Sequence, residues 1–447
     1  VTAASAGQPG SPATTRGSSS RAHRIELPVR IPLWLVTVAV LTAAQVLRVR
    51  GAGAWRTVWA EDGTIFYKDA LERGLGSLAE PAYGYLQTVP RLLALPATWF
   101  PMSDVALYNA VVAAACFTAA ALVVYRLSEF AIPSRSLRAT LVLIVCLHPV
   151  AIVELQNSIT NVIWPLTFAC FWAVLAPGST RFNRVSAPIV VFLAAASQVL
   201  VVLFAPIAAL IAWRRRDRHS LVVVGALGVG LLLQIVTIAT SATGSRADSD
   251  VLDLPQLYAV RVVGSALLGH HALAAAWNDL GPVVAAMFAV AFVAGVLVLA
   301  LRRANDARWI GLTAIGMSLL TFGVAMFWRG TTFAHLVEDD LTFEYSRFAD
   351  LGVLLLLSGV FVLVANARWS EGAKRVVIGI IVVHSVLLVV VPPRYNTARS
   401  RGPVWAHGVS DARHACRQQP DDTIISIAVP PAATWIVKLR CGDVRSH

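Results

Sequence analysis

The sequence predicts an all-α polytopic membrane protein, with about eleven transmembrane helices and a small disulfide-stapled cap at its C-terminal end. Three observations carry that expectation. Of 447 residues, 57% are hydrophobic and only 14% are charged, and the mean hydropathy is +0.67, far more apolar than one soluble core requires. Apolar runs of about 17 to 25 residues, the length that crosses a bilayer, recur along almost the whole chain. The formal net charge of +12 rests on arginines in short loops between those runs, where they act as topology signals. A soluble cytosolic enzyme is therefore excluded; the lipid bilayer is expected as a partner and nucleic acid is not.

Residues 1–30 are rich in Ser, Ala, Gly, Pro and Thr, a composition that cannot bury enough apolar surface to order itself, and a disordered cytoplasmic tail is expected there. The run 31–49 reads as the first transmembrane helix rather than a cleaved signal, because no small-residue cleavage site follows it. Further runs fall near 104–125, 139–155, 162–177, 186–213, 220–241, 281–301, 309–328, 348–366 and 376–392. The 186–213 run is too long for one ordinary span, is basic at both ends and carries Ser197-Gln198 at its middle. Two short helices folded as a hairpin explain it.

With the N-terminus inside, every inner loop is short and basic: Arg126 to Arg138, Arg181 and Arg184, Arg214 to Arg218, Arg302 to Arg308, and Arg368 to Arg375. The outer segments 50–103, 155–161, 242–280, 329–347 and 393–447 are longer, mixed or acidic. The expected organisation is thus a membrane domain over 31–392 and an extracytoplasmic cap over 393–447 of a plasma-membrane protein, with any chemistry on the outer face.

The cysteines sort the same way. Cys116, Cys146 and Cys170 lie in apolar spans, where cysteine serves as a small buried hydrophobe. Cys416 and Cys441 lie in the outer tail, where oxidation is permitted, and are expected to form a disulfide. Between them, Thr423 to Val429 and Trp435 to Leu439 read as short strands joined by Pro430-Pro431. A cap of that size cannot hold a catalytic core of its own.

Three polar constellations could carry chemistry. The first outer loop opens with Trp59-Ala60-Glu61-Asp62-Gly63, placing adjacent carboxylates at the membrane surface. One of them could serve as general base for a sugar hydroxyl, its pKa raised by its neighbour and by burial; the same residues could equally start a turn or cap the next helix. Tyr83, Tyr85, Arg91, Trp99 and Phe100 follow in an amphipathic stretch suited to the interface, with Arg91 facing either phosphate or water.

The second constellation is His148, Glu154, Gln156, Asn157, Asn161 and Trp164. In a continuing helix Glu154, Asn157 and Asn161 would share one face and could bind sugar hydroxyls, or merely cap a helix end. The third is Glu338-Asp339-Asp340 with Glu344, Tyr345 and Arg347. Arg347 could clamp a phosphate with its planar fork or form a structural ion pair. The acidic triplet makes a divalent cation possible, although three consecutive acids match no calcium-loop spacing, and no metal ligand is assigned. No phosphate-binding glycine loop, HExxH or GxSxG in a suitable setting is present.

This pattern resembles the GT-C superfamily of integral-membrane glycosyltransferases, especially the envelope-building enzymes of actinobacteria. The motifs that carry the resemblance are Glu61-Asp62 and, more weakly, Tyr345 to Arg347. It implies an inverting transfer of an arabinofuranose or mannose-type sugar from a polyprenyl-phosphate donor to an envelope glycan or glycolipid. A lipid-borne donor also follows from location, since no nucleotide-sugar pool exists outside the membrane. In this reading Asp62 or Glu61 is the catalytic base, and Arg347 with Arg91 holds the donor phosphate. His148, Glu154, Asn157, Asn161, Trp164 and Tyr345 bind substrate. The rival readings are a flippase of lipid-linked sugars, which should carry polar residues through its spans, and a non-catalytic membrane scaffold.

Overall fold

The computed structural model describes residues 33–149, 155–241, 250–301, 306–329, 346–390, 398–431 and 435–446. Among them, six helices are long and apolar enough to cross a membrane: Met102–Leu127, Arg218–Thr240, Val251–Gly269, Ala307–Trp328, Arg347–Ala365 and Glu371–Val390. Leu33–Arg48, Thr160–Leu175 and Pro282–Val298 are shorter apolar helices. A chain with this set is a multi-pass membrane protein. The expected count of about eleven spans is not reproduced among the described residues.

Helix Arg347–Ala365 is the central post of the bundle, 89% of its apolar window being buried, whereas the window of Glu371–Val390 is 6% buried. Its tightest neighbour is Ala307–Trp328. Gly359 and Gly311 face each other there so closely that a Cβ on Gly359 would lie 2.7 Å from the Gly311 carbonyl oxygen. Small residues let two backbones approach in lipid, where no hydrophobic force drives helices together.

The long 186–213 run is broken as its length requires. Arg181–Ala195 ends before Ser197-Gln198, and Ala205–Arg215 returns after a 3-10 stretch, Val199–Phe204. Both ends meet one turn: Arg215 donates to the carbonyls of Leu175 at 2.8 Å and Ala176 at 3.1 Å, and Asn183 Nδ2 donates to Pro177 O at 2.9 Å. The tip touches the first loop, where Thr88 Oγ1 donates to Ala196 O at 2.8 Å.

One expectation fails. The segment expected as an outer loop over 242–280 is helical over 251–280, and Val251–Gly269 is long and apolar enough to cross a membrane; 242–249 lie outside the described residues. Asp253 and Arg261 interrupt the apolar run in sequence, which hides the helix from a search for uncharged stretches. Gly269, with φ +66°, breaks this helix, and Leu273 returns to pack on Gly264, where a Cβ would lie 2.8 Å from its Cδ1.

The C-terminal cap contains a helix, Trp405–Ala415, and two antiparallel strands, Ile424–Ala428 and Ile436–Arg440, with Ile427 opposite Val437. The strands lie within a residue of their expected bounds. Cys416 and Cys441 are joined, with a Cα–Cα distance of 5.2 Å. The cap does not form a core alone. Trp405, Val409, Ile427, Val437 and the disulfide share one buried cluster with Val58, Tyr67 and Met102 of the first loop. Trp405 Nε1 donates to Met102 O at 2.6 Å, satisfying the buried indole N–H that such a core requires.

The bundle has two dissimilar ends. Helix Val105–Leu127 starts at the first loop and carries the chain about 35 Å away from it. At that far end lie Arg126, Arg181, Arg184, Arg214, Arg216, Arg368 and Arg375, all exposed. Asn366 Nδ2 ties two of these basic loops together by donating to Ala131 O at 2.8 Å.

Candidate active site

The residues Trp59 to Gly63 are gripped from two sides. On one side is the cap: Ala60 N donates to Pro430 O at 2.8 Å. A Cβ on Gly63 would lie 2.7 Å from Val437 Cγ2 and 2.9 Å from Val58 Cγ1, so only glycine admits this contact. On the other side is the turn before helix Ile163–Leu175. From Asp62 to Tyr67 the chain takes a π-helical turn, a wide winding often found at functional sites.

Asp62 is fully buried and saturated. Its Oδ1 accepts from Ser158 Oγ at 3.0 Å, Thr160 N at 3.0 Å and Thr160 Oγ1 at 2.6 Å, and its Oδ2 accepts from Ile159 N at 3.2 Å. The carboxylate thus caps the turn Thr160–Val162, whose free N–H groups favour an anion. Burial raises its pKa from 3.8 to about 6; the Thr160 and Ser158 hydrogen bonds and the Arg399 charge oppose the rise.

Glu61, 2% exposed, is differently placed. Its Oε1 accepts from Tyr83 Oη at 3.2 Å and from Arg347 Nη1 at 3.2 Å. Its Oε2 meets no hydrogen-bond donor among the described residues. Tyr83 stands at the tip of a tight hairpin, with Pro81 opposite Leu86, and has φ +55° beside Gly84 at +80°. The hairpin is moored by Gln234, which bonds Leu86 N at 3.0 Å and Leu86 O at 2.8 Å. Arg347 opens the central helix, its guanidinium 5.4 Å from the Phe348 ring centre, and Phe348 meets Trp164 edge-on at 5.5 Å. Glu61, Tyr83 and Arg347 are therefore brought together from three separate segments, and Phe348 links Arg347 to Trp164.

Other anticipated residues have different surroundings. Arg91 is buried and paired with Asp69 at 3.0 Å, its guanidinium 5.4 Å from the Phe66 ring centre. Asn157 has φ +62°, so the chain turns there and Asn157 and Asn161 do not share a helical face as expected. Asn157 Nδ2 donates to Gln45 O at 3.1 Å, Asn161 Nδ2 to Ser158 Oγ at 3.3 Å, and Gln156 Nε2 to Cys146 O at 2.7 Å. These amides build the turn that grips Asp62. His148 is buried at the end of helix Arg135–Leu147. Glu154, Tyr345 and the acidic triplet 338–340 lie outside the described residues. Among the described residues no group of three His, Cys, Asp or Glu side chains could hold a metal ion.

Two features escape a reading of the sequence. Ser158 and Thr160 look like ordinary polar residues between apolar runs, yet they supply three of the four donors to Asp62. Arg399 looks like part of a basic tail but is fully buried, 4.9 Å over the Trp59 ring, with no hydrogen-bond partner among the described residues for any of its three nitrogens. Burial lowers its pKa to about 10, against the opposing charge of Asp62. No local signal marks it, because its role comes from the folding of the cap onto residue 59.

No family model and no curated protein matches the chain. Among solved structures it is similar to the crystal structure of ArnT from Cupriavidus metallidurans in the apo state, at 10% identity and a TM-score of 0.32, covering 74% of this chain and 76% of that one.

Proposed function

We propose that this chain is an inverting membrane glycosyltransferase of GT-C type, with Glu61 as general base and Asp62 as the buried anchor that holds the loop. The observation that supports this most is the asymmetry of the Glu61 carboxylate. One oxygen is oriented by Tyr83 and Arg347, and the other is uncommitted among the described residues. A general base needs that combination of fixed direction and a free lone pair. Asp62, with four donors on two oxygens, has no such freedom.

The donor is a sugar on a polyprenyl phosphate, of arabinofuranose or mannose type, and the acceptor is an envelope glycan or glycolipid on the outer face. Glu61 Oε2 takes the proton of the acceptor hydroxyl as that oxygen bonds to the anomeric carbon. The bond from that carbon to the phosphate oxygen breaks, and polyprenyl phosphate leaves with the electron pair. Arg347, at the bundle rim beside Glu61, meets the charge growing on the phosphate. Arg91 keeps its ion pair with Asp69 and serves the loop's shape. In this reading Trp164 and His148 are assigned to binding the sugar, and Asn157 and Asn161 act through the turn they build.

The test is transfer in proteoliposomes from a radiolabelled polyprenyl-phosphate arabinose or mannose to a glycan acceptor. Labelled product is expected, with a loss of about 10²-fold or more in Glu61→Gln. Movement of the labelled lipid between leaflets without transfer would establish the flippase reading instead.

A further inference from the structure

A large cavity lies far from Glu61. It holds about 1450 Å³ at the basic end, between helix Leu33–Arg48, the last turns of Val105–Leu127, the middle of Arg135–Leu147 and the start of Arg181–Ala195. Its walls are almost wholly apolar along Leu33 to Leu41 on one side and Ala139 to Leu143 on the other. The first wall alone runs about 12 Å along the helix axis. Trp34 and Val40 in that wall are more than half exposed, so the groove is lined by side chains that the protein itself leaves uncovered.

Apart from Thr37, whose hydroxyl is spent on Leu33 O at 2.9 Å, the polar groups of the groove are Tyr125, Arg126, Glu129, Ser179, Thr180 and Asn183. Arg126 lines it and is exposed, and its guanidinium has no ion-pair partner among the described residues. Glu129, one turn on, is already engaged by Arg138 at 3.3 Å. Ser179 and Thr180 line the groove where helix Arg181–Ala195 begins, adding the positive pole of its dipole. The mouth therefore has a net positive field, a planar fork able to hold a phosphate through two parallel hydrogen bonds, and a hydroxyl beside it. Behind it lies an apolar trough in a protein that lives in lipid.

We propose that this groove is a specific site for one anionic glycerophospholipid, its phosphate on Arg126 and an acyl chain along the 33–41 wall. The occupant follows from charge and shape together: a soluble anion would leave the trough unfilled, and an uncharged lipid would leave Arg126 without a counter-charge. A zwitterionic headgroup brings its own cation to a mouth that is already positive, so a net-anionic headgroup fits better. The site is remote from Glu61 and is independent of the reading given to that residue.

The test uses the full-length protein in detergent, titrated with phosphatidylglycerol or phosphatidylcholine and read by native mass spectrometry and by thermal unfolding. The expected result is one retained phosphatidylglycerol that saturates, at least tenfold preference over phosphatidylcholine, and loss of that preference in Arg126→Gln. Ala139→Trp, which adds bulk at an exposed groove position, should block the bound lipid. Val383→Trp, on the exposed face of helix Glu371–Val390, should leave it in place, which separates a groove from general lipid coating. Equal retention of phosphatidylglycerol in wild type, Arg126→Gln and Ala139→Trp would overturn the proposal. So would uptake of lipid only after residues 1–30 are removed, which would assign the groove to the chain's own N-terminal stretch.

Discussion

The two ends of the helix bundle treat charge in opposite ways. At the Glu61 end, Glu61, Asp62, Arg91 and Arg399 are each 2% exposed or less, and the cap folds over them. At the other end Arg138 is buried against Glu129, but Arg126, Arg181, Arg184, Arg214, Arg216, Arg368 and Arg375 are exposed, and Arg126 has no counter-ion among the described residues. Burying a charge costs several kcal/mol unless partners repay it, so four buried charges in one region signal an arrangement kept for more than stability. Exposed arginines cost almost nothing, and at the ends of membrane helices such charges generally favour one orientation in the bilayer. The sharpest version of the contrast lies within one dipeptide: Asp62 is saturated by its neighbours, and Glu61 beside it is not.

The comparison can be broken most severely at Asp62. Asp62→Ala orphans the N–H groups of Ile159 and Thr160 and leaves Arg399 without its counter-charge, so about 3–5 kcal/mol of stability should be lost. Thermal unfolding in detergent reads this, and a loss below about 1 kcal/mol would remove the anchor role. Cutting the disulfide with Cys416→Ser and Cys441→Ser should cost about 3 kcal/mol, given the 25-residue separation it closes. The cap core over Val58 and Tyr67 should loosen first in hydrogen exchange.

Titration sharpens the same contrast. Because the folded pKa of Asp62 is raised from 3.8 to about 6, the folded state holds a proton there that the unfolded chain has already lost. Its contribution is full below the unfolded pKa and disappears as pH rises through about 6, worth up to about 3 kcal/mol. The unfolding temperature should therefore contain a component that falls between pH 4 and 6 and is absent in Asp62→Asn. A wild-type profile identical to that of the variant would contradict the burial assigned to this carboxyl. Gly63→Ala pushes a methyl into Val437 and Val58 and should cost about 1–3 kcal/mol by overpacking. At the far end, Arg214→Gln should change stability by no more than about 0.5 kcal/mol, as expected for an exposed charge.

Much of this architecture was legible in the sequence because its causes are local. The hairpin over 186–213 follows from an apolar run too long for one span, with basic residues at both ends. The cap strands follow from β-branched stretches around a Pro-Pro turn, and the disulfide from two cysteines outside the apolar runs. What stayed hidden has non-local causes. Helix Val251–Gly269 carries Asp253 and Arg261, tolerable in a bundle that buries 56% of its apolar window but invisible to a hydropathy scan. Asn157 breaks the helical face expected of its neighbours because it enters the left-handed region, which asparagine tolerates. Arg91 could be read as a phosphate clamp until the fold brought Asp69 to it. Arg399 and the Ser158–Thr160 turn lie on opposite flanks of Glu61-Asp62, and no spacing along the chain announces either.

The most direct test measures sugar transfer and unfolding temperature on the same preparations of wild type, Glu61→Gln and Asp62→Asn. Glu61→Gln should lose about 10²- to 10⁴-fold in transfer while unfolding near the wild-type temperature, because the glutamine amide oxygen can still accept from Tyr83 and Arg347. Asp62→Asn should unfold well below both. A Glu61→Gln protein that transfers sugar at the wild-type rate would contradict the central claim.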